Sequence, residues 1–245
     1  MNNTRIVLVG TQHPGNIGSA ARAMKTMGLE RLALVSPERF PDPQAYALAA
    51  GAADLIDKAE IFPSLAAAVA DCRTVIATTA RQRTVPMPGF SPREGARHAR
   101  EVAALGPVAL VFGRERTGLE NEELQLCHAA IHIPANPDYS SLNLAAAVQI
   151  VAYEWRLAGL EAAPPAPSLP SDAEPPATHA ELESFFAHLF ELLDQVDFHK
   201  GKDPAMVSQR LRRLFLRSRL DARELRILRG IFSDTQRLLR SKPQG

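Results

Sequence analysis

The sequence predicts an α/β domain built on a mostly parallel sheet, followed by a small all-helical domain. Three observations carry that expectation. Short apolar, β-branched runs alternate with helical patterns through the first two thirds of the chain. Six of the 18 residues from Glu161 to Thr178 are then Pro, a stretch suited to no core. Beyond it every pattern is helical and the charge changes sign. Lys200 to Gly245 carry 13 Lys or Arg against 4 Asp or Glu, whereas the other 199 residues carry 15 against 23. The net charge of +1 therefore conceals a basic tail on an acidic body. Composition leaves two readings of that tail, a surface for a polyanion or a solvated helical face.

In chain order, Arg5–Gly10 (RIVLVG) is a short apolar strand and Asn16–Met27 a helix that stops at Gly28, a C-cap. Arg31–Ser36 is a second strand. Asp42–Gly51 and Ser64–Asp71 have helical patterns, and Arg73–Thr79 (RTVIATT) is β-branched and strand-like. A loop rich in Arg, Pro and Gly runs from Ala80 to Phe90. Ser91-Pro92-Arg93-Glu94 then combines an N-cap, a first-turn Pro and a capping-box Glu, so a helix should run from there to near Gly106. Pro107–Phe112 is a buried-type strand, Asn121–Cys127 a short helix, Ala129–Ile133 a strand and Ser141–Leu157 a long apolar helix. After the Pro-rich linker, helices are expected at 179–196, 204–218 and 221–240, with capping boxes at Thr178–Glu181 and Asp221–Glu224. The domains expected are thus 1–160, the linker 161–178 and 179–245.

Composition excludes several classes. With 46% hydrophobic and 22% charged residues the chain is neither disordered nor fibrous. No run approaches the roughly 18 apolar residues of a membrane helix, and Met1 to Gly10 lack a signal-peptide layout. Cys72 and Cys127 form no CxxC pair, which argues against a disulfide framework and for a reducing, cytoplasmic setting. Gly10 to Gly15 have phosphate-loop spacing but lack the following Lys-Ser/Thr, and no G-x-G-x-x-G follows a strand. His128 and His132 fall in a strand, about 13 Å apart, so no metal site is expected.

Three segments are too polar or too glycine-rich for their positions. HPGNIGSAARAMKTMGL (from His13) opens a helix after a strand, where free backbone N–H groups favour anions. It embeds Arg22 among small residues. FGRERTGL (from Phe112) follows a buried strand, at the edge where α/β sheets bind ligands. A Pro-rich loop from Pro134 leads into SLNLAAAVQIVAYE (from Ser141), in which Ser141 suits an N-cap and Asn143 a solvent-facing second-turn position. No G-x-S-x-G surrounds Ser141, so it is not a nucleophile.

Together and in this order, the three segments resemble the three motifs of the SPOUT methyltransferases. They are most similar to the TrmH-like branch of RNA 2′-O-ribose methylases, and within it to the tRNA (cytidine/uridine-2′-O-)-methyltransferases acting at nucleotide 32 of the anticodon loop. The resemblance covers residues 4–157, and the helical tail fits the same group in length and character. It implies a SPOUT-type sheet with a trefoil knot across residues 75–157, a homodimer with each site near the interface, and S-adenosylmethionine as methyl donor. The helices at 16–27 and 141–157 are the interface candidates. The implied donor cradle is Thr78, Thr79, Ala80, Phe112, Gly113, Arg114, Ile133, Ser140, Leu142 and Asn143. The implied catalytic set is Arg22, Asn16, Glu115, Ser141 and Asn143. Arg22 would act as phosphate clamp and oxyanion stabiliser, because a guanidinium has no acceptor for a proton. Asn16 and Asn143 would hold it, the ribose and the donor in register. Glu115 would pair with a basic residue or orient the site, and Ser141 would bind RNA backbone.

With tRNA as partner the tail gains a role. Arg210, Arg213 and Arg217 share one helical stripe by spacing, and Arg219, Arg223 and Arg226 another. Leu211, Leu214, Phe215, Leu225, Leu228, Ile231 and Phe232 would supply the apolar faces, and Arg81 and Arg83 would extend the phosphate-gripping surface. Two other readings remain at this point: methylation of another tRNA nucleotide or ribosomal RNA, and a non-catalytic RNA-binding factor. A nucleotide-dependent oxidoreductase is a distant third, lacking its glycine fingerprint.

Overall fold

The structure is a computed structural model and describes residues 3–80, 87–161, 174–201 and 203–241. Arg81, Arg83 and residues 162–173 of the Pro-rich stretch lie outside the described residues. The chain divides into two compact units, Met1–Ser168 and Leu169–Gly245.

The first unit contains seven strands: β1 (Thr4–Val9), β2 (Arg31–Val35), β3 (Glu60–Phe62), β4 (Thr74–Thr78), β5 (Gly89–Phe90), β6 (Val108–Phe112) and β7 (Ala129–Ile131). All pair in parallel, in the order β3-β2-β1-β6-β4-β7-β5. The helices interleaved with them are α1 (Pro14–Met27), α2 (Pro43–Ala49), α3 (Ala53–Asp57), α4 (Leu65–Ala68), α5 (Pro92–Ala103), α6 (Asn121–Gln125) and α7 (Leu144–Leu160). Both faces of the sheet are covered, so its central strands are largely apolar rather than alternating. In β1, Ile6 and Leu8 join a cluster with α1, α5 and α7, while Val7 and Val9 join another with α4 and α6. Beside Thr4, Arg5 is the polar member of β1. Only 4% exposed, it holds Asp71 through two bonds of 2.9 and 3.1 Å and donates to the Ala68 carbonyl.

Several boundaries differ from those the sequence suggests. β3 and β5, of three and two residues, carry no readable pattern and become strands only through pairing with β2 and β7. The helix expected over Asp42–Gly51 stops at Ala49, where Ala50 takes a positive φ of 48°. A 3-10 turn, Ala50–Ala52, then leads into α3, which the pattern does not show. α7 begins at Leu144, three residues later than Ser141 suggests. Asn143, not Ser141, is its N-cap, accepting from the Ala145 and Ala146 N–H groups at 2.9 and 3.2 Å. The capping box at Ser91–Glu94 forms, and α1 ends on Gly28 in the left-handed region. The ends of the Pro-rich stretch are also engaged. Glu161 pairs with Arg97 at 2.8 Å, while Ala177 is buried and donates to the Leu220 carbonyl.

The second unit is three helices: α8 (His179–Gln195), α9 (Pro204–Ser218) and α10 (Ala222–Ser241). Phe185 and Phe186 centre its core, with Leu216, Leu225 and Phe232 packed round them. Arg212 ties α9 to α8 through a two-bonded pair with Glu183, its guanidinium 4.5 Å from the Phe186 ring. Two of the residues expected on the apolar faces are instead exposed, Leu214 at 51% and Ile231 at 56%, because the core needs only one stripe of each helix. No described helix is long and apolar enough to cross a membrane.

His179, the first residue of α8, is 2% exposed and neither ring nitrogen has a hydrogen-bond partner. Burial holds its pKa below the usual histidine value. Glu183 opposes that shift and Arg212 reinforces it. The unfolded chain therefore takes up this proton at higher pH than the folded one. Stability of the helical unit should fall as pH drops below about 6.5, by at most ~1.4 kcal/mol per pH unit for one proton. Thermal melts of the intact chain at pH 7 and pH 5 test this. A His179→Phe variant should flatten the slope, and an unchanged slope would assign it to other groups.

Candidate functional site

The carboxyl ends of β4 and β6 lie side by side, and the loop before α7 approaches them. The three segments enclose a cleft of about 180 Å³, whereas one water needs only about 10–15 Å³. It is lined by Thr78, Thr79 and Ala80 after β4, Phe112 to Leu119 after β6, and Ile133, Ser140, Ser141 and Leu142 before α7. This is where open α/β sheets take ligands. The cleft gathers every residue nominated as cradle except Asn143, which caps α7 and bonds elsewhere. Thr78 Oγ1 is buried and has no hydrogen-bond partner among the described residues. A polar atom left so beside a cleft suits a bound polar ligand. His132 Nδ1 lies 3.1 Å from the Thr79 carbonyl, so it donates there and fixes the strand end. His128 Nδ1 accepts the Val75 N–H. Among the described residues no group of three or more His, Cys, Asp or Glu converges on a metal position.

The turn after β6 is tight for definite reasons. A Cβ on Gly113 would overlap the backbone of Gly118 and Leu119, and Gly118 has a φ of 70°. Arg114 and Gly118 exchange backbone bonds of 3.2 and 2.9 Å across the turn. The Arg114 side chain is not free for a ligand. It forms a two-bonded pair with Glu123 at 3.0 and 3.1 Å, lies within 3.6 Å of Glu120, and has its pKa raised by the Glu123 bond. Its place in the cradle is therefore structural, as a clamp between the turn and α6.

Glu115 is the centre of the second arrangement. Its carboxylate accepts from the Gln12 N–H at 3.0 Å, the His13 N–H at 3.2 Å and Asn16 Nδ2 at 2.8 Å. Asn143 Nδ2 in turn donates to Asn16 Oδ1 at 2.9 Å. Burial would raise the Glu115 pKa, but the bonds from Asn16, Gln12 and His13 outweigh it and the net shift is downward. The carboxylate is thus ionised at neutral pH, and its stabilising contribution is lost only as pH falls through that lowered value. Glu115 meets amides here, not the basic side chain that was the other expectation. It is the anion that α1's N-terminus binds.

Asn16, Glu115 and Asn143 are brought together, and Ser141 lines the adjoining cleft. Arg22 stands apart. It is exposed on α1, outside the cleft lining, and makes no ion pair or side-chain hydrogen bond among the described residues. Of the tail arginines, Arg210 and Arg217 are exposed on α9 and Arg223 on α10. Arg213 is half-buried, and Arg226 pairs with Glu174 at 3.0 Å. Arg219 does not share a stripe with Arg223 and Arg226. It sits in the left-handed region between α9 and α10, with a φ of 51°, where helical spacing does not apply. The sequence reading missed Arg116, which lines the cleft, and Glu123. The charge alternation in FGRERTGL marked the segment but not which charge was spoken for.

Residues 3–153 match the SpoU rRNA Methylase family, and residues 180–244 match the C-terminal domain of the tRNA methyltransferase TrmJ. The tRNA (cytidine/uridine-2′-O-)-methyltransferase TrmJ of Pectobacterium atrosepticum is 53% identical over 239 residues, which cover 97% of this chain and 98% of that protein. The crystal structure of TrmJ from Z. mobilis ZM4 superposes with a TM-score of 0.82 at 39% identity, covering 95% of this chain and 99% of that one. The SpoU methyltransferase AviRb from Streptomyces viridochromogenes, in complex with AdoMet, shares the fold at a TM-score of 0.50 and 22% identity, over 64% of this chain and 60% of that one. The two family matches occupy the two units in order, and the chain belongs to the SpoU methylase family, in the branch that carries the TrmJ C-terminal domain.

Proposed function

We propose that this chain is an S-adenosylmethionine-dependent tRNA 2′-O-methyltransferase acting on cytidine or uridine at nucleotide 32 of the anticodon loop. The observation that carries the reading is the cleft, which the second and third motif segments line and to which the first is tied through the Glu115–Asn16–Asn143 chain. The residues suit the donor: an unpartnered Thr78 hydroxyl, a glycine-narrowed turn, apolar Phe112 and Leu142, and the backbone of Ser140. When bound, the donor supplies a methyl group on a positively charged sulfur.

The protein's part is alignment and charge. Displacement by a ribose oxygen is sensitive to geometry. Glu115 fixes Asn16, Asn16 fixes Asn143, and Asn143 fixes the start of α7, so the loop carrying Ser141 and Leu142 has a set position. Ser141 binds RNA backbone at the cleft. Arg22 clamps a phosphate and stabilises the developing oxyanion, and the 2′-proton leaves through phosphate or water.

The same proposal includes a homodimer through α1 and α7. It is supported by the outer face of α7, where Tyr153 is 49% and Leu160 68% exposed. It includes the knot, supported by the position of β4 between the later strands β6 and β7, and residence in the cytoplasm with the tRNA pool. The helical unit grips phosphates, chiefly through Arg210, Arg217 and Arg223, with Arg213, Arg219 and Arg226 as neighbours.

The direct test is to incubate the protein with labelled S-adenosylmethionine and tRNA from cells lacking their own anticodon-loop 2′-O-methylase, then map the product. Label at nucleotide 32 is expected; label elsewhere overturns the substrate, and none overturns the reading. Arg22→Ala should lower transfer at least ~100-fold with donor affinity unchanged; wild-type turnover would remove Arg22 from the mechanism. Glu115→Gln cannot accept from all its amides. It should slow transfer and lower stability by about 1–3 kcal/mol, read from urea midpoints. Removing residues 165–245 should weaken tRNA binding and reduce its salt dependence. Undiminished binding by that fragment would contradict the tail assignment.

A further inference from the structure

The turn Arg114-Glu115-Arg116 carries three consecutive charges, and the structure treats them differently. Arg114 is paired with Glu123 through two bonds and lies within 3.6 Å of Glu120. Glu115 is saturated by the start of α1. Arg116 lines the same cleft, is exposed, and makes no ion pair or hydrogen bond among the described residues. Among the described residues, no Lys, Arg or His besides Arg114 and Arg116 lines the cleft. The turn beneath Arg116 is held by the Arg114–Gly118 bonds and by the Gly113 approach to Leu119. A long cation is thus presented from a fixed base at the mouth of the cleft, and its own neighbours do not neutralise it.

We propose that Arg116 binds the phosphodiester beside the target ribose and so sets the substrate strand over the donor; this rests on the tRNA-methylase reading above. The chemistry it selects is an oxyanion, which a guanidinium meets with two parallel N–H donors. Two oxyanions could come to this cleft, the carboxylate of the donor's amino-acid end and an RNA phosphate. The phosphate is favoured on charge and position. The donor's carboxylate travels with its own ammonium group, so it brings no net charge to be balanced. A phosphodiester brings a full one, and Arg116 is exposed to solvent at the cleft. An exposed cation that contacts phosphate contributes mainly to substrate affinity and registers in its salt dependence.

The test compares full-length wild type with Arg116→Ala and Arg116→Lys. Binding of tRNA is measured across a salt series, binding of S-adenosylmethionine separately, and methyl transfer at saturating tRNA. Arg116→Ala is expected to weaken tRNA binding about 5–30-fold and to lower the salt slope by about 1, with donor affinity unchanged. Arg116→Lys should keep the slope and part of the affinity, since it keeps the charge but loses the paired donors. Loss of donor affinity with tRNA binding intact would assign the guanidinium to the donor's carboxylate. No change in either affinity would leave Arg116 an ordinary solvated side chain. Both results would overturn the proposal. Wild-type protein that neither binds nor methylates tRNA would instead sink the parent reading and this one with it, and active wild type beside an unchanged Arg116→Ala sinks this one alone.

Discussion

The Glu115 carboxylate is the contact on which the site depends. It lies in the turn after β6, yet its partners are the N–H groups of Gln12 and His13 and the amide of Asn16, about a hundred positions earlier in the chain. Through Asn16 it reaches Asn143 and therefore the start of α7. Three segments remote in sequence are fixed against one another by one ionised group. Such a chain of bonds is only as good as its weakest link, because each amide loses its partner if the next one moves. The burial penalty on the carboxylate is outweighed by the same bonds that give it its structural role.

The sheet explains why those segments meet at all. β1, β6 and β4 are neighbours and parallel, so their carboxyl ends leave on one side. Each is buried on both faces, which leaves polar and glycine residues to collect where the strands stop. Gly113 allows the turn after β6 to fold back on Gly118 and Leu119, and the Arg114–Glu123 pair holds it there. Two arginines flanking Glu115 then have opposite fates. Arg114 is consumed by architecture, and Arg116 is left to face whatever enters.

The helical unit follows a different economy. Its aromatic core is compact, with Phe185 touching Phe215 and Phe232 at ring separations of 4.9 and 5.6 Å. Basic residues that serve the core, such as Arg212, are paired and stacked. Arg210, Arg217 and Arg223 are exposed on the outer faces. The charge asymmetry visible in composition thus resolves into arginines with internal duties and arginines without.

Much of this was legible in the residue order. The parallel sheet followed from apolar runs alternating with helical periods, and the three helices of the second unit from capping boxes and period alone, since these signals are local. The second and third motif segments named most of the cleft's lining, and the family resemblance supplied Thr78 to Ala80 and Ile133. What the order of residues left open was pairing. β3 and β5 are too short to have a pattern of their own and exist through their neighbours. Ser141 and Asn143 compete for the same N-cap, and Asn143 holds it while also bonding Asn16 across the fold. Arg114 and Arg116 are equivalent in a string of letters, and only the carboxylates of α6 distinguish them. Spacing along the chain determines which groups are present and which local structures they favour. Which charge finds its partner is decided by distances between segments that only the folded sheet brings within reach.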